Sequence, residues 1–210
     1  MSRALAFRIL ANNSGGSAVE FALVLPTFLL FLLGTIDVGR FIWLVNENEK
    51  AAQIGARWAV ATDVICNGLT DWSFALDETE RPPVAQGELV PKEYFPGVAF
   101  AGGNATVCVC ASGGTCSFPL TADTTAYGAL VARMQAIQPR LSAQNVSIAY
   151  DWSGLGYSGD PNGADVAPIV TVTVGSLPFR PLFLGGFISL GVPGASYSLT
   201  MEDGEGDFAN

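Results

Sequence analysis

The sequence predicts an α+β fold: a long N-terminal helix that crosses a membrane and continues as a spine into an outer domain holding an antiparallel sheet and a second helix. Three observations carry this reading. Phe21 to Ile36 is a run of sixteen residues without a charge, and Phe41 to Val45 adds five more apolar positions. From Phe41 to Val64 no turn signal interrupts the chain except Gly55. Beyond residue 140, three segments alternate apolar and polar residues with a period of two, the pattern of half-buried strands.

The first helix sets the membrane expectation. A spanning helix needs about 20 mostly apolar residues, and Phe21 to Val45 supplies that length if Asp37 and Arg40 lie at the far interface. They are three apart, so on a helix they form an ion pair. Arg3 and Arg8 precede the run with no acid among the first fifteen residues, which places the N-terminus in the cytoplasm and the bulk of the chain outside. A cleaved secretory signal fits less well. Its apolar region runs about 7–15 residues and ends in a small-x-small site; here the run is longer and Leu33-Gly34-Thr35 follows. The expected helix extends from about Ser17 to about Asp63, roughly 70 Å at about 1.5 Å per residue. Pro26 lies inside it, tolerated because neighbouring helices re-satisfy the backbone in a membrane, with a kink expected near Leu25.

Composition narrows the function. Charged residues make up only 14% of the chain and apolar ones 50%, a low charge share for a soluble protein. The net charge is −9, so no basic patch offers itself to nucleic acid. There is no histidine, which removes the commonest general base and metal ligand and a catalytic triad in its usual form.

Glu20 needs an explanation, because a carboxylate entering hydrocarbon is costly. Its context, "GGSAVEFALVLP" from Gly15 to Pro26, resembles a type IV prepilin. The block from Gly15 to Val60 is similar, more narrowly, to the TadE-like family, minor pseudopilins of tight-adherence pili. The features are Val19-Glu20-Phe21-Ala22-Leu23, Pro26, Asp37-Val38-Gly39-Arg40, and Ala51-Ala52 followed by Ala56-Arg57. The resemblance implies a leader over 1–15, removed by a prepilin peptidase between Gly15 and Gly16, a transmembrane and spine helix over 16–65, and a periplasmic domain over 66–210. Glu20 becomes the fifth residue of the mature chain and serves assembly by neutralising a neighbour's new amino terminus. The implied partners are the peptidase, other minor pseudopilins, the major pilin, the inner-membrane assembly platform and the lipid bilayer, with no cofactor and no catalysis. The implied place is the inner membrane, crossed once, and the pilus tip after assembly. The chain would prime or cap the fibre. A different reading makes the helix a plain uncleaved anchor for a periplasmic enzyme or binding protein.

Along the spine, Leu44, Asn48, Ala51, Gly55, Trp58, Thr62 and Ile65 share one face. Ala51 and Gly55, four apart, let another backbone approach closely. Packing on the protein's own sheet is the expected use, and a contact with another subunit the alternative.

In the outer domain, residues 67–105 hold six acids and the prolines Pro82, Pro83, Pro91 and Pro96. They read as a long surface excursion with one short strand near Val98 to Phe100. Cys66, Cys108, Cys110 and Cys116 make an even count outside the cytoplasm, where disulfides persist. A four-cysteine zinc site is the weaker alternative. One of Cys108 and Cys110 is expected to pair with Cys116 and the other with Cys66, the assignment left open. Asp123 caps a helix to about Gln138, stopped by Pro139, with Tyr127, Leu130, Val131, Met134 and Ile137 as its stripe. Strands follow at Val146–Tyr150, Val170–Val174 and Tyr197–Met201. The apolar stretch from Leu177 to Pro193, broken by Pro and Gly, is expected as a buried loop; exposed, it would mark a protein contact or a membrane-proximal surface.

Three motifs have bland readings. Gly154-Leu155-Gly156-Tyr157-Ser158-Gly159 matches a dinucleotide fingerprint, but a turn follows it where a helix is needed, so it reads as a hairpin loop. Asp151, Asp160, Asn162 and Asp165 lack the spacing of a calcium loop and read as solvated turn acids. Glu202, Asp203, Glu205 and Asp207 read as a solvated acidic end.

Overall fold

A computed structural model describes residues 15–78, 82–111, 113–161, 163–185 and 190–201. The chain divides into two units, Met1–Trp43 with Phe179–Leu190, and Leu44–Pro178 with Gly191–Asn210. Residues 1–14 of the expected leader, Asn162 and the acidic end from Glu202 lie outside the described residues.

Helix α1 runs Gly16–Ala59, with Pro26 inside it. It is the one helix among the described residues that is long and apolar enough to cross a membrane. Its expected end near Asp63 is corrected to Ala59. Ala61 N–H reaches back only three residues, to the Trp58 carbonyl, and the Thr62 hydroxyl donates to that same carbonyl at 2.8 Å. The β-branched Thr62, Val64 and Ile65 then leave the helix. Val64 and Ile65 are buried, and Ile65 N–H donates to the Tyr150 hydroxyl at 2.9 Å.

The second unit is built on a five-stranded antiparallel sheet in the order β2-β1-β3-β4-β7. Its strands are β1 (Val98–Phe100), β2 (Val109–Cys110), β3 (Val146–Asp151), β4 (Ile169–Val174) and β7 (Ala195–Thr200). Strands β5 (Leu177–Phe179) and β6 (Leu190–Val192) pair separately. The alternation read from sequence is the burial pattern found: Val146, Ile148 and Tyr150 of β3 and Val170, Val172 and Val174 of β4 are all buried. Register places Ile148 opposite Val172 and Tyr150 opposite Val170, so these side chains form one apolar face.

Helix α2 (Thr124–Gln135) starts where Asp123 accepts the N–H groups of Thr125 and Ala126, a full side-chain cap. Tyr127, Leu130, Val131 and Met134 are its buried stripe, and the Tyr127 ring meets Phe100 edge-on at 4.8 Å.

The stretch 67–105 is not a surface excursion. It carries the expected strand β1, but it also sends Leu69, Phe74, Val90 and Phe95 into the core. Phe118 links two of them, with ring centroids 6.5 Å from Phe74 and 5.9 Å from Phe95. Irregular backbone can be held this way because side chains satisfy it. The Asp165 carboxylate accepts Phe74 N–H at 2.6 Å and Asp160 N–H at 3.0 Å. Asp165 is therefore a buried structural acid, 3% exposed, and the expectation of a solvated turn acid is corrected at that position.

Candidate functional site

The N-terminal segment gives the first part of the site. Helix α1 begins at Gly16, and Gly15 to Glu20 are exposed. A Cβ added at Gly15 or Gly16 would meet nothing within 4 Å, and neither has positive φ. The fold itself therefore has no use for glycine at either position. Glu20 sits one turn into the helix, and among the described residues it has no hydrogen-bond or ion-pair partner. Around and beyond it the helix is apolar and exposed on all sides, with Val19, Phe21, Leu23, Val24, Phe28 and Phe31 each more than half exposed. A helix of that kind is made for lipid or for other helices. Pro26 is exposed too.

Asp37 shows the opposite treatment. Its carboxylate is held by three consecutive backbone N–H groups, from Leu182 at 2.7 Å, Phe183 at 2.8 Å and Leu184 at 2.9 Å. Successive N–H groups turned inward in this way form an anion-binding nest. The ion pair with Arg40 exists, at 3.4 Å, but is the longest of these contacts. Leu184 covers the site from one side, packed 3.5 Å from where a Cβ of Gly34 would be. Arg40 lies over the Phe179 ring at 5.7 Å, and Phe41 meets that ring edge-on at 5.4 Å. The loop expected to be buried is instead exposed at Leu182 (66%) and Phe183 (42%). Sequence reasoning paired Asp37 with Arg40 and missed its three main partners, because backbone donors carry no residue-type signal. The available clue was a carboxylate inside an apolar helix together with an apolar Pro- and Gly-rich loop elsewhere in the chain.

In the second unit, the small residues of α1 serve the chain's own packing. Ala51, Ala52 and Ala56 are buried. A Cβ on Gly55 would lie 2.8 Å from Met134 Sδ and 3.0 Å from its Cγ. The partner at Gly55 is thus α2, whereas the sequence pointed to the sheet. One buried polar cluster was not foreseen. Gln138 Nε2 donates to Glu47 at 3.2 Å and to Asn48 Oδ1 at 3.3 Å, and Asn48 Nδ2 donates to the Pro193 carbonyl at 3.2 Å. Asn48 and Gln138 are fully buried, and their mutual hydrogen bonds meet the cost of taking amides from water.

The cysteines form two disulfides, Cys66–Cys108 and Cys110–Cys116, each with Cα atoms 5.9 Å apart. The expected split of partners is the one found, but not for a reason of strand faces: residues two apart share a face of a regular strand, and Cys108 lies just before β2, which begins at Val109. The zinc alternative falls away. The first bridge ties the segment after α1 to the sheet edge, next to the Ile65–Tyr150 hydrogen bond. Burial pushes the Tyr150 hydroxyl well above its ordinary range, and burial raises Tyr127 in the same direction. The Gly154–Gly159 stretch joins β3 to β4 as a loop with no helix after it. Among the described residues no group of His, Cys, Asp and Glu is placed to hold a metal ion.

Residues 15–57 match the family model described as TadE-like protein. No curated protein and no solved structure matches the chain.

Proposed function

From the premise that residues 15–57 are a TadE-like segment, which points to a protein associated with tight-adherence pili, we propose that the chain is a minor pseudopilin of such a pilus. A prepilin peptidase cuts between Gly15 and Gly16 on the cytoplasmic side of the inner membrane. The mature chain crosses that membrane once, with the disulfide-bonded unit in the periplasm. It then joins other minor pseudopilins and the major pilin at the assembly platform, and primes or caps the fibre used in surface adhesion. The TadE-like family is not known for catalysis, and the proposed role is structural.

One observation carries the proposal. Glu20 stands four residues after a helix start at Gly16, without a partner among the described residues, behind two glycines that the fold does not require. A free carboxylate in an apolar helix is costly and is kept for a function. The amino group exposed on Gly16 of a neighbouring subunit has the charge that complements it. Gly39 supports the same reading. It lies inside α1, where glycine costs about 1 kcal/mol relative to alanine, and a Cβ there would meet nothing within 4 Å of its own chain.

Mass spectrometry of the protein from cells with and without the peptidase tests the cut. The expected mature chain begins at Gly16 only when the peptidase is present. An intact Met1–Gly16 segment in both strains would overturn the processing step. Glu20→Ala tests assembly separately: fibres should be lost while cleavage persists, and unchanged fibres would remove the proposed role of Glu20.

A further inference from the structure

The segment Phe179–Gly185 presents a contradiction that a water-exposed loop would not resolve. Leu182 and Phe183 face outward, and between Pro181 and Val192 the sequence has no charged residue. Yet this segment is clasped to the apolar part of α1. Its contacts fall at Gly34, Asp37, Arg40 and Phe41, all within the stretch that the anchor reading places in the membrane.

Depth can be worked from helix geometry. Phe21, the first apolar residue after Glu20, marks the cytoplasmic edge of the hydrocarbon. Asp37 lies sixteen residues further, about 24 Å along the axis at about 1.5 Å per residue. The hydrocarbon core is about 30 Å thick, so Asp37 falls inside it, near the outer edge. Trp43, exposed at 67%, falls at about 33 Å on the same scale, the depth at which an aromatic anchor belongs. Arg40, between them, has the reach to bring its guanidinium to the headgroups. At that depth Asp37 and the loop each have a problem alone: a bare carboxylate, and three unpaired N–H groups on irregular backbone. Together they cancel. The three N–H groups satisfy the carboxylate, Leu184 closes over Gly34, and Leu182 and Phe183 are left facing outward.

We propose that Phe179–Gly185 is a second membrane element, a re-entrant apolar loop dipped into the outer leaflet, latched to the spanning helix through Asp37, with Leu182 and Phe183 in contact with acyl chains. Arg180, exposed at its rim, meets lipid phosphates. The proposal rests on the membrane-anchor part of the reading above and not on pilus assembly.

The test uses the full chain reconstituted in vesicles of phosphatidylethanolamine and phosphatidylglycerol. All four native cysteines are in disulfides, so a single added cysteine takes a nitroxide label selectively. Labels go on Leu182→Cys, Phe183→Cys, Leu30→Cys within the span, and Leu76→Cys, which is 81% exposed in the other unit. Mass under non-reducing conditions checks that both bridges have formed. The expected result is that labels at 182 and 183 collide with oxygen far more than with a water-soluble nickel chelate, as at 30, with the reverse at 76. Adding Asp37→Asn to Leu182→Cys should raise nickel access several-fold. Water-like values at 182 and 183 with a lipid-like value at 30 would overturn the loop alone. Low access to both reagents at 182 and 183 would mean a protein contact and would also overturn it. A water-like value at 30 would bring down the anchor reading, and the loop with it.

Discussion

Gly55→Val is the substitution that decides what the small residues of α1 are for. If Gly55 exists to pack against Met134, the change must destabilise the isolated chain. If it exists for a neighbouring subunit, the isolated chain will not register it. The magnitude follows from two opposed effects. Leaving glycine for valine inside a helix gains a few tenths of a kcal/mol at most, since Gly lies about 1 and Val about 0.7 kcal/mol below Ala. Against that, the first added carbon already sits 2.8 Å from Met134 Sδ, and valine brings two methyls more. Overpacking of this kind costs about 1–3 kcal/mol, so the net loss is about 0.5–2.5 kcal/mol. Met134 is fully buried, so Met134→Ala alone costs about 2–5 kcal/mol through its cavity. In the double variant the added methyls fill part of that cavity, so the two costs should fall short of additive by about 1 kcal/mol or more. The assay is urea unfolding of the full chain in detergent micelles with disulfides intact, read by near-ultraviolet circular dichroism and slowed exchange at α2. An unchanged midpoint for Gly55→Val, or a cycle additive within about 0.5 kcal/mol, would refute the argument.

Other sites give separable outcomes. Tyr150→Phe leaves the buried Ile65 N–H without its acceptor and should lower stability by about 1–3 kcal/mol in the same unfolding assay. The wild-type chain should also lose stability as pH rises past about 10, because the unfolded tyrosine releases its proton there while buried Tyr150 and Tyr127 still hold theirs. Stability contributed this way is complete below the unfolded value and disappears toward the raised folded value, so a pH titration of the melting temperature should decline less steeply in Tyr150→Phe. Replacing Cys66 and Cys108 together by alanine should cost about 4 kcal/mol, and replacing Cys110 and Cys116 about 2 kcal/mol, by loop-closure entropy over separations of 42 and 6 residues; equal losses by denaturant titration would contradict that ranking. Asp37→Asn turns one acceptor oxygen into a donor facing N–H groups, so amide exchange at 182–184 should quicken by on the order of tenfold or more, whereas Arg40→Ala, which removes only the longest contact, should change it little.

What the sequence revealed, and what it hid, divides along a physical line. Period and punctuation were readable: the alternation in β3 and β4, the Asp123 cap, and the uncharged run of α1 each express a local rule that the tertiary structure obeyed. The irregular stretch after Cys66 was misread as surface because it has no period to follow, although Phe74 and Phe95 are core residues. Asp165 was misread for a related reason. Its partners are the backbone N–H groups of Phe74 and Asp160, and every residue except proline offers such a group. The same blindness hid the clasp on Asp37. Within the candidate site, Gly15, Gly16 and Glu20 were singled out by a family pattern and not by a fold requirement, since a Cβ at either glycine would meet nothing within 4 Å; their roles belong to the proposal above.

The two carboxylates in the apolar part of α1 make the division of labour concrete. Glu20 and Asp37 belong to the same chemical class and lie on the same exposed helix, yet only one is available to a second molecule. Asp37 already has three backbone donors and Arg40, and its side chain is 3% exposed. Recruiting it for an intersubunit contact would require opening the clasp and leaving three N–H groups unpaired. Glu20 is fully presented and has no such obligation among the described residues. Substitution at the two positions should therefore separate by phenotype, not by degree. Asp37→Asn should loosen the 179–185 loop in an isolated molecule, where no neighbour is present. Glu20→Ala should leave the isolated molecule unchanged in melting temperature and disulfide content and show its effect only when subunits meet. A Glu20→Ala chain that melts lower on its own would mean that this carboxylate, too, is spoken for within its own fold, and the assembly charge would have to be sought elsewhere.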